Sequence, residues 1–147
     1  MWNSLARVQL NSQSVESRWV TATEYLKGPG VLKFKATGEW EPFDGYRCGP
    51  DGTSGFQLAP ERMVVVKGAA GCLIGKLGGS SASLDEAGST VFAIGSFAVI
   101  ALADKFVGPL FIGFNMDRSQ RGLQVTSLDL IIEAREWPFV ATPPAPQ

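Results

Sequence analysis

Over residues 31–37 apolar and polar positions alternate with period two: Leu32, Phe34 and Ala36 fall on one side, Lys33, Lys35 and Thr37 on the other. Successive side chains of an extended chain point to opposite faces, so this pattern predicts a strand with one face buried and one in water. Gly28-Pro29-Gly30 before it and Gly38-Glu39-Trp40-Glu41-Pro42 after it carry turn chemistry and are expected to bound it. Further strands are expected at 6–10, 18–25, 63–66, 72–77, 90–94, 97–101, 109–114 and 123–134. The last of these changes phase: Leu123 and Val125 are apolar at odd positions, Leu128, Leu130 and Ile132 at even ones, with Asp129 and Glu133 opposite. One extra residue in the ladder switches the face, which predicts a bulge at Thr126 or Ser127. No window keeps a 3.6-residue apolar period over three turns with caps at both ends, so no helix is expected.

Eight or nine short strands separated by turn signals predict an all-β chain, a jelly-roll-like antiparallel β-sandwich, with Leu32, Phe34, Leu73, Ile112, Leu128, Leu130 and Ile132 in one core. A chain of 147 residues suits a single domain. We expect the sandwich to occupy residues 1–137 and the proline-rich residues 138–147 to form an extended tail, since prolines cannot donate to a ladder. Residues 42–60 shift to Gly, Pro, Asp, Ser and Tyr, the composition of a long loop on a rigid scaffold.

The runs 91–103 and 106–114 are apolar at both odd and even positions, so both faces of those strands want cover. In a two-sheet sandwich only one face of a strand meets the core. An exposed patch of Phe97 or Ala98, Val99 or Ile100, and Phe111 is therefore expected, and with it a symmetric homo-oligomer, most simply a dimer.

Composition narrows the function classes. With 45% hydrophobic and 18% charged residues the chain folds rather than staying disordered. Thirteen basic and fourteen acidic residues, spread without a run, give no footprint for a nucleic-acid backbone. The longest apolar run, 91–103, is broken by Gly95 and Ser96 and falls short of the roughly 20 residues of a membrane helix, so no membrane span is expected. The first residues lack a basic segment followed by an apolar core and a cleavage site, which predicts a cytoplasmic or non-classically exported protein. Cys48 and Cys72 either pair or, in a reducing compartment, stay thiols. A zinc site is not expected from two cysteines without histidine.

Candidate chemistry sits in few places. Gly108-Pro109-Leu110-Phe111-Ile112-Gly113-Phe114-Asn115-Met116-Asp117 reads as a buried strand delivering Asn115 and Asp117 to a turn, where Asp117 is either a ligand or a cap of its own backbone. Trp40, Phe43 and Tyr46 beside a glycine-rich stretch offer an aromatic platform for a sugar ring, with Trp40 better placed for the core. Gly71 and Gly75-Lys76 lack the spacing and the hydroxyl residue of a phosphate loop and read as a strand whose glycines permit close packing. Asp44, Asp51, Asp85 and Glu86 are expected to be solvated loop acids. With no histidine and no nucleophile beside a base, no enzymatic activity is expected.

Trp19, Ala36-Thr37-Gly38-Glu39-Trp40, Gly49-Pro50-Asp51-Gly52, the stretch from Gly71 to Gly78, Phe92-Ala93-Ile94-Gly95-Ser96 and the stretch from Gly108 to Asp117 occur in an order that resembles the PA-I-type galactose-binding lectins of bacteria. The likeness spans roughly residues 5–134. It implies a small jelly-roll sandwich of the galactose-binding-domain-like kind, which in lectin members holds one calcium ion and a galactoside at one end. Carried over, it points to Asn115 and Asp117 as metal and sugar ligands and to Gln57 as a sugar contact, with a backbone carbonyl ligand near Phe43 or Asp44, while Phe43 and Tyr46 stand as sugar contacts on their aromatic character alone. The chain departs from the pattern in three ways. Met116 separates Asn115 from Asp117, Gln120-Arg121 stands where a ligand pair belongs, and the sugar-contacting histidine has no counterpart. Calcium takes six to eight oxygens, several of them anionic. The expectation is thus a non-enzymatic binding module, carbohydrate-binding, with a weakened or lost calcium site and no other cofactor. The alternative is a self-associating scaffold without sugar binding.

Overall fold

The structure, a computed structural model, describes residues 1–11, 19–43, 46–53, 63–65, 67–81, 88–116 and 124–136; for residues 42, 43, 46 and 124–127 it describes the backbone only. Among the described residues there are nine strands and no helix: β1 (Asn3–Leu10), β2 (Val20–Lys27), β3 (Gly30–Phe43), β4 (Tyr46–Cys48), β5 (Leu73–Leu77), β6 (Thr90–Ala93), β7 (Phe97–Leu102), β8 (Val107–Phe114) and β9 (Gln124–Arg135). They form two antiparallel sheets. Sheet A runs β1-β9-β3, and the long β3 pairs on its other side with β7 along its first half and with β4 along its second. Sheet B runs β2-β8-β5-β6.

The period-two alternation decides which side chains meet between the sheets. Leu32, Phe34, Ala36 and Trp40 of β3, Val8 and Leu10 of β1, and Leu128, Leu130 and Ile132 of β9 face Leu73 and Leu77 of β5 and Leu110 and Ile112 of β8 in one buried cluster. All seven expected core residues lie in it. Gly75 stands directly opposite Phe92, whose ring a Cβ at residue 75 would strike, so a side chain there would displace the ring. That close approach is why β5 carries a glycine.

The phase change in β9 is a bulge. Glu39 pairs with Ser127 and Trp40 with Val125, so Thr126 is the extra residue. Two expectations fail. β3 does not stop at Gly38: that glycine, with φ +116°, passes within the strand, and pairing with β9 continues to Glu41. The ladder to β9 outweighs the local turn signal. Residues 63–65 are not a strand; Met63 packs against the main core, and Val64 and Val65 lie over the outer face of sheet B, as described below. The rest of 54–62, residue 66 and the tail 138–147 lie outside the described residues.

The two outer faces differ in kind. Sheet A shows water a cross-strand ladder, with Lys33 to Glu133 at 3.3 Å, Arg7 to Asp129 at 3.5 Å and Arg47 to Glu39 at 3.6 Å. Sheet B is covered. Trp19, Cys72, Ile74 and Phe111 form a second buried cluster under Val64 and Val65, so every residue of β5 is buried. Phe111, expected in an exposed patch, is only 5% exposed, because the chain itself supplies its cover.

Candidate functional site

At one end of the sandwich the end of β8, the segment 63–72, the turn 49–53 and the β6–β7 turn are bound into one block. Asn115 is its centre. It is fully buried, and its side-chain Oδ1 accepts from the N–H groups of Val64 (3.1 Å) and Val65 (2.7 Å). Its Nδ2 donates to the carbonyls of Val65 (2.9 Å) and Ala69 (3.0 Å). An amide offers two donors and an acceptor with two lone pairs, and all four capacities are used. The Asn115 backbone N–H donates to Cys72 O at 2.8 Å, and its carbonyl accepts from Gly71 at 3.1 Å. The residue predicted as a ligand thus holds the covering segment onto sheet B, and its side chain faces backbone rather than water.

Met116, in the place directly after Asn115, is 4% exposed and belongs to the main core. A thioether is a soft group and no ligand for a hard cation. Asp117 and Gln57 lie outside the described residues. Phe43 and Tyr46 stand directly opposite each other at the tip of the β3–β4 hairpin. That hairpin was legible: Asp44-Gly45 between them is an Asp-Gly turn signal, which reading the stretch as one long loop passed over. Trp40 is fully buried and stacks on Phe114, ring centroids 3.9 Å apart, which ties β3 to the end of β8.

Asp51, expected to be a solvated loop acid, is exposed in its turn and has a structural task as well. Its Oδ1 accepts from Ser96 N–H at 2.7 Å and its Oδ2 from the Ser96 hydroxyl at 2.9 Å. It caps the β6–β7 turn, where Gly95 takes φ +66° and a Cβ would come within 2.5 Å of Oδ1. The pairing of an acid in Gly49-Pro50-Asp51-Gly52 with a distant Gly95-Ser96 has no local sequence signal. Further bonds lock the turn down: Leu73 N–H to Pro50 O at 2.9 Å and Thr53 N–H to Ala70 O at 3.0 Å.

Both cysteines are free thiols. Burial pushes the Cys48 thiol up to about 11, slightly offset by the Trp40 indole, whose buried N–H comes near the sulfur without completing a hydrogen bond. Burial likewise lifts Cys72 to about 11, with the Asn115 side chain and Ala69 backbone easing the rise and the charge of Asp51 adding to it. Neither is a thiolate nucleophile at neutral pH. Among the described residues no three His, Cys, Asp or Glu side chains gather as a metal site, and no helix is long and apolar enough to cross a membrane.

No protein-family model matches the chain, and no curated protein matches it. Among solved structures it is similar to the N-terminal domain of EclA, described as a PllA-like lectin, with 14% identity and a TM-score of 0.55 over 90% of this chain and 97% of that domain. At that identity the likeness speaks for the fold. The chain has the fold of a lectin-like β-sandwich domain.

Proposed function

We propose that this chain is a non-enzymatic carbohydrate-binding module of the PA-I-like kind, whose sugar-binding surface is the loop end of the sandwich. The observation that carries the reading is the similarity to a lectin domain over nearly the full length of both chains. The physical construction of the loop end supports it. Asn115 and Asp51 fasten that end into a stiff frame, and recognition by loops depends on such a frame. The sugar contacts are assigned to Phe43 and Tyr46 at the hairpin tip and, from the resemblance in sequence, to Gln57 and Asp117. Aromatic rings offer the apolar face of a sugar a flat partner. Calcium is read as weakened or lost, since the amide of Asn115 is fully engaged and Met116 brings no oxygen.

A glycan array run with calcium and with a chelator tests both halves. Binding to a set of glycans that is indifferent to the chelator, and weakened in Tyr46→Ala, is the expected result. No glycan bound in either buffer would sink the carbohydrate reading and leave the scaffold. Binding seen only with calcium would sink the assignment of a lost metal site.

A further inference from the structure

Among the described residues β7 pairs only with β3 and forms an edge of sheet A. Ala36 N–H donates to Ser96 O at 2.9 Å, just beyond the Lys35–Phe97 pair. Hydrogen-bonded pairs alternate along an antiparallel ladder, so Ala98, Ile100 and Leu102 turn their backbone groups towards β3. Phe97, Val99 and Ala101 turn theirs outward. The same three carry exposed side chains, Phe97 at 57% and Val99 at 50%.

The other edges carry devices that discourage pairing. β1 has Arg7 and a register break between Ser4 and Ala6; β2 has Glu24, Lys27 and two breaks; β4 and β6 are only three and four residues long. Charges, irregular register and shortness are the ordinary protections of a sheet edge. β7 has none of them: six residues in unbroken register with β3, without a charge or a proline. Its inner face is also unfinished. Ala98 and Ile100 pack on the core yet stay half-buried, whereas Leu130 and Ile132 on β9 are sealed.

We propose that β7 pairs edge to edge with β7 of a second copy of this chain, antiparallel about a two-fold axis at Val99, joining two A sheets into one. The strand complements itself. Phe97 faces the partner's Ala101 on the outer side and Ala98 faces the partner's Ile100 on the inner side, so large meets small on both. Phe97, Val99 and Ala101 each exchange backbone hydrogen bonds with the strand opposite. Charge permits it. The nearest ammonium groups in the central row, Lys33 and its symmetry mate, stand three strand spacings apart, roughly 14 Å. That exceeds the screening length at physiological salt, and each Lys33 already has Glu133 at 3.3 Å. An isologous contact closes on itself, so assembly stops at two.

Sedimentation across the micromolar range tests the pairing independently of any ligand. The parent is expected at twice 15.7 kDa. Val99→Pro removes only an outward N–H, and Val99→Lys charges the edge; both are expected to be monomeric with the parent's circular dichroism. Ile131→Lys, on the same face but two strands in, is expected to remain dimeric. A parent that is monomeric throughout overturns the proposal. So do folded Val99 variants that still dimerise, or loss of the dimer in Ile131→Lys but not in Val99→Pro. Should Val99→Pro fail to fold, Val99→Lys decides.

Discussion

Replacing Asn115 separates two roles for the same residue, an exposed ligand or a buried peg. As a peg it makes four side-chain hydrogen bonds to the segment 64–69, at 2.7 to 3.1 Å. Each such bond contributes about 1 kcal/mol net, so Asn115→Ala forfeits about 4 kcal/mol if every partner is stranded. Val64 and Val65 are half-buried and Ala69 is exposed, so water recovers part of that. About 3 kcal/mol remains, by the same per-bond figure. With a slope of about 2 kcal/mol per molar urea, the unfolding midpoint should fall by about 1.5 M. Asn115→Asp keeps the acceptor for Val64 and Val65 but aims oxygen at the carbonyls of Val65 and Ala69, and should cost a similar amount. A surface turn asparagine would cost no more than about 0.5 kcal/mol. A midpoint within ~0.3 M of the parent for both variants, at an unchanged slope, would refute the argument.

The other expectations are simpler to state. Ile112→Ala, at a fully buried position between the sheets, should lose about 2 to 5 kcal/mol by urea titration, and a variant as stable as the parent would break the core assignment. Both thiols are held protonated by burial, with folded values of about 11 against 9.0 for a free thiol, so the stability they lend is complete below pH 9 and declines as pH rises towards 11. A Cys48→Ala, Cys72→Ala double variant should lose stability less steeply over pH 9 to 11 than the parent in matched urea titrations, and equal slopes would contradict this. Millimolar calcium should leave the melting temperature nearly unchanged, because a folded-state ligand at a hundredfold excess over Kd stabilises by about 2.7 kcal/mol and would show plainly.

Much of the fold was legible because period-two patterning is local and the pleat turns it directly into burial. Leu32, Phe34 and Ala36 face the core as the alternation says, and the phase change near Thr126 locates the bulge from sequence alone. What was not legible depends on distant partners. Gly38-Glu39-Trp40 reads as a turn until β9 is placed beside it. Val64 and Val65 look like a strand, yet the Asn115 amide, some fifty residues on, takes their N–H groups before any ladder does. The same holds at the candidate site. Asn115 stands out in the sequence as the end of a buried strand, but the partners of its amide are some fifty residues away, and Ser96, the partner of Asp51, is 45 residues away.

Apolar residues on both faces of a strand call for a second cover, and sequence alone does not say who supplies it. The structure gives two answers in one chain. On sheet B the cover is intramolecular: Trp19, Val64 and Val65 close over Ile74 and Phe111, and even Lys76 is fully buried there, its ammonium donating to Ser80 O at 2.6 Å with the rings of Trp19 and Phe111 each 5.5 Å away. A buried ammonium is tolerable only with such partners. On sheet A no described segment crosses Phe97 and Val99, and charged ladders flank them instead. The difference lies in what the chain carries nearby. Asn115 at the end of β8 gives sheet B an anchor for a covering segment, and with every capacity of its amide committed that segment is fixed to the fold. β7 has no comparable polar anchor among its residues, only outward backbone groups that are satisfied by water or by another strand. An added strand would satisfy those groups and also cover the flanks of Phe97 and Val99, which water alone leaves exposed.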